Sequence, residues 1–219
     1  MKATLILFIL TTTLAVARAD LVLQQQSVVS NVTYSVALKL HGDKMRMDQQ
    51  DSQGRIFCVV VDLKTRDSLT LMPREKLFLK KAGTATNRVA TYLPAKPVTT
   101  GTSEKVGGYD TEIYIWSGTN GTKETLWVAK DFPNFDQIKP ELVKIDEFKN
   151  AGEHPAAQPD VSQLPGMVVK NQTETKGRRV TIALVSAKIE PVDPAQFELP
   201  ADYKEYQPLV ITPVPNNTK

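Results

Sequence analysis

At 219 residues with 41% apolar side chains, the chain is long enough to bury a substantial core, and its single cysteine, Cys58, excludes an intramolecular disulfide framework. Its 27 basic and 24 acidic residues give a formal charge of +3. So small an excess excludes the general electrostatic footprint of a nucleic-acid or anionic-membrane binder.

The first elements in chain order concern export. Met1-Lys2 is a short positive start, residues 3–16 are an apolar run, and Ala17-Arg18-Ala19 is a small-x-small pattern ahead of Asp20. This layout predicts a secretory signal peptide over residues 1–19. The apolar run is shorter than the roughly 20 residues of a comfortable membrane span, and no second stretch of spanning length follows. Loss of Lys2 and Arg18 leaves 25 basic against 24 acidic residues, so the net charge of the cleaved product falls from +3 to about +1. No cysteine stands at the cleavage point, so the expected product is periplasmic or secreted, soluble and not lipidated at its N-terminus.

The remainder reads mainly as strands. Residues 32–40 are rich in Val, Thr and Tyr; His41-Gly42-Asp43 is a turn; residues 44–48 alternate, with Met45 and Met47 on one face. Residues 57–63 are almost wholly apolar, as suits a central strand. Residues 68–72 and 75–80 follow, and short runs bounded by turn residues predict an antiparallel meander. Residues 82–103 are polar and rich in Thr, Gly and Pro, which predicts a loop. Residues 109–116 and 123–130 alternate around a turn containing Asn120-Gly121, the clearest hairpin signal in the chain.

Helical spacing is concentrated in residues 133–150, where Phe135, Ile138, Leu142, Ile145 and Phe148 recur at three- and four-residue steps. Pro140 lies inside this stripe and predicts a kink or a break into two short helices. Residues 151–163 read as a flexible connection. Strands follow at 167–175 and 178–190, joined by Lys176-Gly177, and Asp193-Pro194 is suited to cap a single turn through Phe197. With no internal repeat, the pattern predicts one α+β domain over residues 20–206: a mainly antiparallel curved sheet or incomplete barrel packed around one amphipathic helical segment. Residues 207–219, rich in Pro, are expected to form a flexible tail.

Catalytic and metal chemistry has little purchase here. His41 and His154 are the two histidines, and neither sits in a His-x-x-x-His, Cys-pair or acidic-loop pattern with metal-ligand spacing. No Gly-x-Ser-x-Gly elbow or phosphate-binding glycine pattern occurs. No cofactor, catalytic residue or metal ligand is therefore assigned. Cys58, within an apolar strand and without a basic neighbour in sequence, reads as an inert buried thiol. Sequons stand at Asn31, Asn120, Asn171 and Asn216; they are glycan acceptors only if the source is eukaryotic.

Apolar alternation offers the candidate binding surface. Met45, Met47, Val59, Val61, Leu69, Leu71, Leu77 and Leu79 recur at every second position in four strands, and Ile138, Leu142 and Ile145 face them from the helix. Two readings remain open. These side chains fill an ordinary core, or they line an apolar cavity in which flexible methionines adapt to a ligand.

Several phrases carry a family resemblance. Lys44-Met45-Arg46-Met47, Val61-Asp62-Leu63, Leu71-Met72-Pro73 and Lys76-Leu77-Phe78-Leu79 resemble an exported bacterial family of unknown function. Val106-Gly107-Gly108-Tyr109 through Trp116, followed by Leu126-Trp127-Val128-Ala129, continues the match. The close Phe197-Glu198-Leu199-Pro200-Ala201-Asp202-Tyr203 resembles the ending of periplasmic lipoprotein carriers. The resemblance implies a fold like the LolA, LolB and LppX carriers, an incomplete antiparallel barrel around helical segments that holds acyl chains, with no catalytic residues to carry over. The chain departs from those carriers in its long polar 82–103 segment. The expectation is a non-enzymatic envelope carrier for a lipid or acylated ligand; the alternative is a periplasmic sensor or interaction module docking an envelope protein partner. No nucleic acid and no membrane span are expected in either case. A hydrolase would need a convergent His or carboxylate cluster in a cleft.

Overall fold

The computed structural model describes residues 20–83, 96–118, 121–150 and 159–207. The expected leader, His154, the sequons at Asn120 and Asn216, and all but the first residue of the expected tail lie outside them. In chain order the elements are β1 (Leu21–Val29), β2 (Val32–His41), β3 (Lys44–Gln50), β4 (Ile56–Asp62), β5 (Ser68–Met72), β6 (Leu77–Lys81), β7 (Val98–Val106), β8 (Tyr109–Ser117), β9 (Lys123–Ala129), α1 (Phe135–Asn150), β10 (Met167–Thr175), β11 (Arg178–Ile189) and β12 (Lys204–Glu205).

Among the described residues, twelve strands form one open sheet in the order β12-β6-β5-β4-β3-β2-β1-β11-β10-β9-β8-β7. Every pairing is antiparallel except the short β12–β6 contact. Two meanders are thus joined back to back. One runs outward from β1 to β6, the other from β11 to β7, and the β1–β11 pairing is the seam. This bears out the expected antiparallel sheet with a single helix.

β1 is absent from the pattern read in sequence because Gln24-Gln25-Gln26 interrupts its apolar alternation. Its first residues are nevertheless buried on both faces, as central strands are: Leu21 and Leu23 on one side, Val22 on the other. On the first side, Leu21, Leu23 and Leu40 pack with Phe132 and Ile138 beneath α1. On the reverse side, Val22, Cys58, Val60 and Leu71 pack with Val192 and Phe197. The covering segment is held by the turn Pro194–Phe197, where Asp193 accepts from the Ala195 N–H at 2.9 Å, the cap expected from Asp193-Pro194. Arg46 donates to the Gln196 carbonyl, and Lys39 Nζ donates to Gln196 Oε1 at 2.7 Å.

Three expectations need correction. The 82–103 segment is not loop throughout, because β7 begins at Val98; it is a Thr-rich edge strand exposed over Val98–Lys105, so it lacks the apolar alternation that marks a half-buried strand. Pro140 does not break α1, which runs continuously from Phe135 to Asn150. The proline forfeits one helical hydrogen bond, to the Asp136 carbonyl, while burial of Ile138 and Ile145 anchors the turns on either side. At the far end Arg66 donates to the Phe148 carbonyl at 2.7 Å and lies 4.5 Å from the centre of the Phe148 ring. Finally, β6 starts at Leu77 rather than Glu75, because Lys76 adopts a left-handed φ of 51° in the preceding turn.

Candidate functional site

α1 crosses the β9–β10–β11–β1 part of the sheet, and the space beneath it is not filled. A cavity of about 430 Å³ lies there. Its apolar walls come from Leu23 of β1, Leu126 of β9, Leu184 of β11, and Phe135, Leu142 and Ile145 of α1. It sits between the main core and a smaller cluster in which Leu126 and Val128 pack on Leu164.

One end of the cavity is polar. Glu124 and Thr173 are register partners on β9 and β10, and Asp146 and Lys149 reach the same space from the last turns of α1. Burial pushes the Asp146 carboxyl up to about 6, with Lys149 opposing the shift and Asp160 adding to it. Burial also raises the Glu124 carboxyl, against Lys149 and a hydrogen bond from Thr173. Gln25 and Asn171 add amide groups to this wall. The arrangement offers an apolar trough closed at one end by groups able to pair with a polar head.

The raised carboxyl gives a prediction with a definite sign. Between about pH 4 and pH 6 the folded protein holds the Asp146 proton more tightly than the unfolded chain, so this group's contribution to stability falls as pH rises through that window. Asp146→Asn is expected to flatten that decline and to stabilise the protein at pH 7 by about 1–2 kcal/mol, allowing for partial exposure. Urea unfolding at pH 4, 5, 6 and 7 reads it directly; parallel curves for both proteins would refute it.

The candidate residues named from alternation divide three ways. Leu142 and Ile145 line the cavity, while Ile138 is 1% exposed and belongs to the solid core. Met45, Met47, Val59, Val61, Leu77 and Leu79 share the α1 side of the sheet, through the pairs Met45↔Val61 and Met47↔Val59 and the row Val59↔Thr70↔Leu79. They stand on the β3–β6 half and none lines this cavity: Met45 packs against the core, Val61 is buried, and Leu79 is exposed. Leu69 and Leu71 correct the expected single apolar face. They pair with Val60 and Cys58 and pack on the reverse side. Counting every second residue within a strand leaves its register with the next strand undetermined, and a one-residue offset moves a side chain through the sheet.

The cavity residues missed in sequence are mainly from β1, β9, β10 and β11. Glu124-Thr125-Leu126 and Asn171-Gln172-Thr173 do alternate, but of their inward positions only Leu126 is apolar, so the hydrophobic signal is weak. Asn171 is itself a sequon residue on the cavity wall. Cys58 is fully buried, and burial pushes its thiol up to about 12, so it stays protonated. His41 Nδ1 lies 3.0 Å from the buried Asp20 carboxylate, which also accepts from the Val192 N–H at 2.9 Å. Among the described residues, no cluster of three or more His, Cys, Asp or Glu has the geometry to hold a metal ion, and no helix is long and apolar enough to cross a membrane.

Fold and site together define an open, mainly antiparallel sheet with a ligand-sized cavity under α1. The model of the family described as Domain of unknown function (DUF4412) matches residues 21–203, and the chain belongs to that family. Among curated proteins none matches. An uncharacterized conserved protein from Thermus thermophilus has a similar crystal structure, with a TM-score of 0.53 at 6% identity over 85% of this chain and 89% of that one. The likeness shows a shared fold. Looser alignments exist to a DUF1329 family protein from Desulfovibrio piger (TM-score 0.34, 12% identity, 84% of this chain and 91% of that one) and to PNGF-II (TM-score 0.41, 12% identity, 86% of this chain and 31% of that one). Neither bears on function.

Proposed function

We propose that the protein is a non-enzymatic, exported binding or carrier protein that takes the acyl chain of an amphiphile into the cavity beneath α1. The observation that carries this reading is the cavity itself: about 430 Å³, apolar along its walls and polar at one end. That size falls within the roughly 300–1,000 Å³ of small-molecule sites. Affinity would come from burying ligand hydrocarbon, at about 25 cal/mol per Å². An open sheet with one helix on its face also agrees with the lipoprotein-carrier resemblance, and the leader-like residues 1–19 support export and a periplasmic or secreted location. At the cavity's edge Ser162 donates its hydroxyl to Asp160 at 2.5 Å.

Displacement of a fluorescent fatty acid from the purified protein tests the reading. Saturable one-to-one binding with competition by unlabelled acyl chains is expected; absence of saturable binding sinks it. A second reading, a docking or sensor module for an envelope protein, draws on the β3–β6 half of the sheet. There Phe57 and Leu79, which lie on the α1 side, are 54% and 44% exposed.

A further inference from the structure

A different surface lies at the hairpin tips, mainly on the face of the sheet opposite the cavity. The β1–β11 register places Val28 opposite Thr181 and Val29 opposite Val180, so the β1–β2 and β10–β11 hairpin tips stand side by side. Both are tight turns with left-handed central residues: Ser30 and Asn31 (φ 47° and 67°), and Lys176 and Gly177 (φ 48° and 75°). Lys123 joins them from the next strand, opposite Glu174. Together they surround an open cleft of about 660 Å³.

This rim is basic, although the chain as a whole is not. Lys123, Lys176, Arg178 and Arg179 line the cleft, and Glu174, its one acidic lining residue, is ion-paired to Arg179 at 2.7 Å. On the neighbouring tip Val28, which lines the cleft, and Val32, on the other face of the same hairpin, are 38% and 39% exposed. Glu124, Thr173 and Ile182 of the cavity each lie one residue along their strands from Lys123, Glu174 and Thr181 of the cleft. Successive side chains on a strand point to opposite faces, so these cleft residues stand on the face of the sheet away from the cavity.

We propose that these hairpin tips dock the protein on a bilayer surface containing anionic phospholipid. Lys and Arg on the rim are attracted to lipid phosphates, and the exposed valines can enter the headgroup boundary beside them. A soluble polyanion would use the charges but leave the valines in water, which favours the bilayer. The rim's charge and position support this inference whatever the cavity holds.

Cosedimentation with vesicles of phosphatidylcholine alone, or mixed with phosphatidylglycerol, tests it at low and high salt. Binding to the mixed vesicles is expected, with loss at high salt as the charges are screened. Each basic residue neutralised should weaken it about fivefold, so Lys176→Gln with Arg178→Gln should cost about 25-fold. The charge-retaining pair Lys176→Arg with Arg178→Lys should keep it. All three proteins share every other residue, N-terminal segment included, so a difference between them reports the rim; matching thermal unfolding confirms their folds. Equal binding to both vesicle types, or no loss in the neutral pair, overturns the proposal. So does binding to heparin with none to vesicles, which would point to a soluble polyanion. Fatty-acid displacement with the neutral pair reports the cavity separately.

Discussion

Gly166→Ala is expected to destabilise the protein by about 3 kcal/mol or more, near the upper end for overpacking. A β-carbon at position 166 would lie 2.1 Å from the Ala129 carbonyl oxygen and 2.6 Å from its carbonyl carbon. Both are backbone atoms, so neither can swing away as a long side chain would. The adjacent residue, Met167, is the register partner of Ala129, and the pairing shifts register between Val168 and Lys170. Close approach at Gly166 therefore sets where β10 joins β9, and with it the wall of the cavity beside α1. Urea midpoints of the two proteins measure the loss. A change below about 1 kcal/mol would mean that the β9–β10 junction yields easily.

The second large effect concerns binding. Leu184→Trp places a larger ring on the sheet wall of the cavity, and saturable fatty-acid binding is expected to weaken at least tenfold. Leu79→Trp, on the exposed β6 strand of the other half-sheet, should leave affinity within a factor of about two; tenfold in affinity corresponds to about 1.4 kcal/mol. The pair of variants distinguishes two locations for the ligand. If Leu79→Trp abolishes binding and Leu184→Trp does not, the ligand rests on the β3–β6 face with Met47 and Val59 rather than beneath α1. Unfolding curves guard against a trivial cause, because Leu184 also packs against the main core.

Elements with strong periodic signals were legible. The β8–β9 hairpin, the β10–β11 hairpin, the amphipathic helix and the Asp193 cap all follow from local pattern, because side-chain spacing and turn chemistry act over a few residues. Elements whose role depends on distant partners were not. β1 looks polar through its three glutamines, yet it is the seam because β11, more than 150 residues away, pairs along its full length. β7 lacks apolar alternation because an edge strand need bury little; its hydrogen bonds to β8 define it. Leu69 and Leu71 alternate correctly within β5, but the register with β4 sends them through the sheet to Cys58 and Phe197.

The candidate site shows the same division. Leu142 and Ile145 were visible as an apolar helix stripe, and the structure brings them to the cavity. Their opposite wall was sought among the methionine-bearing strands and is found instead on β9, β10, β11 and β1. By itself the sequence determined a leader-like start, a strand-rich antiparallel fold, one amphipathic helix and an inert cysteine, since each is written in local composition and spacing. Only the tertiary structure decided which half of the sheet the helix covers and that space remains beneath it. It also decided that Glu124 and Asp146 close one end of that space. Those features arise where segments far apart in the chain meet, and strand register, rather than the residues of any one strand, sets which side chains face one another.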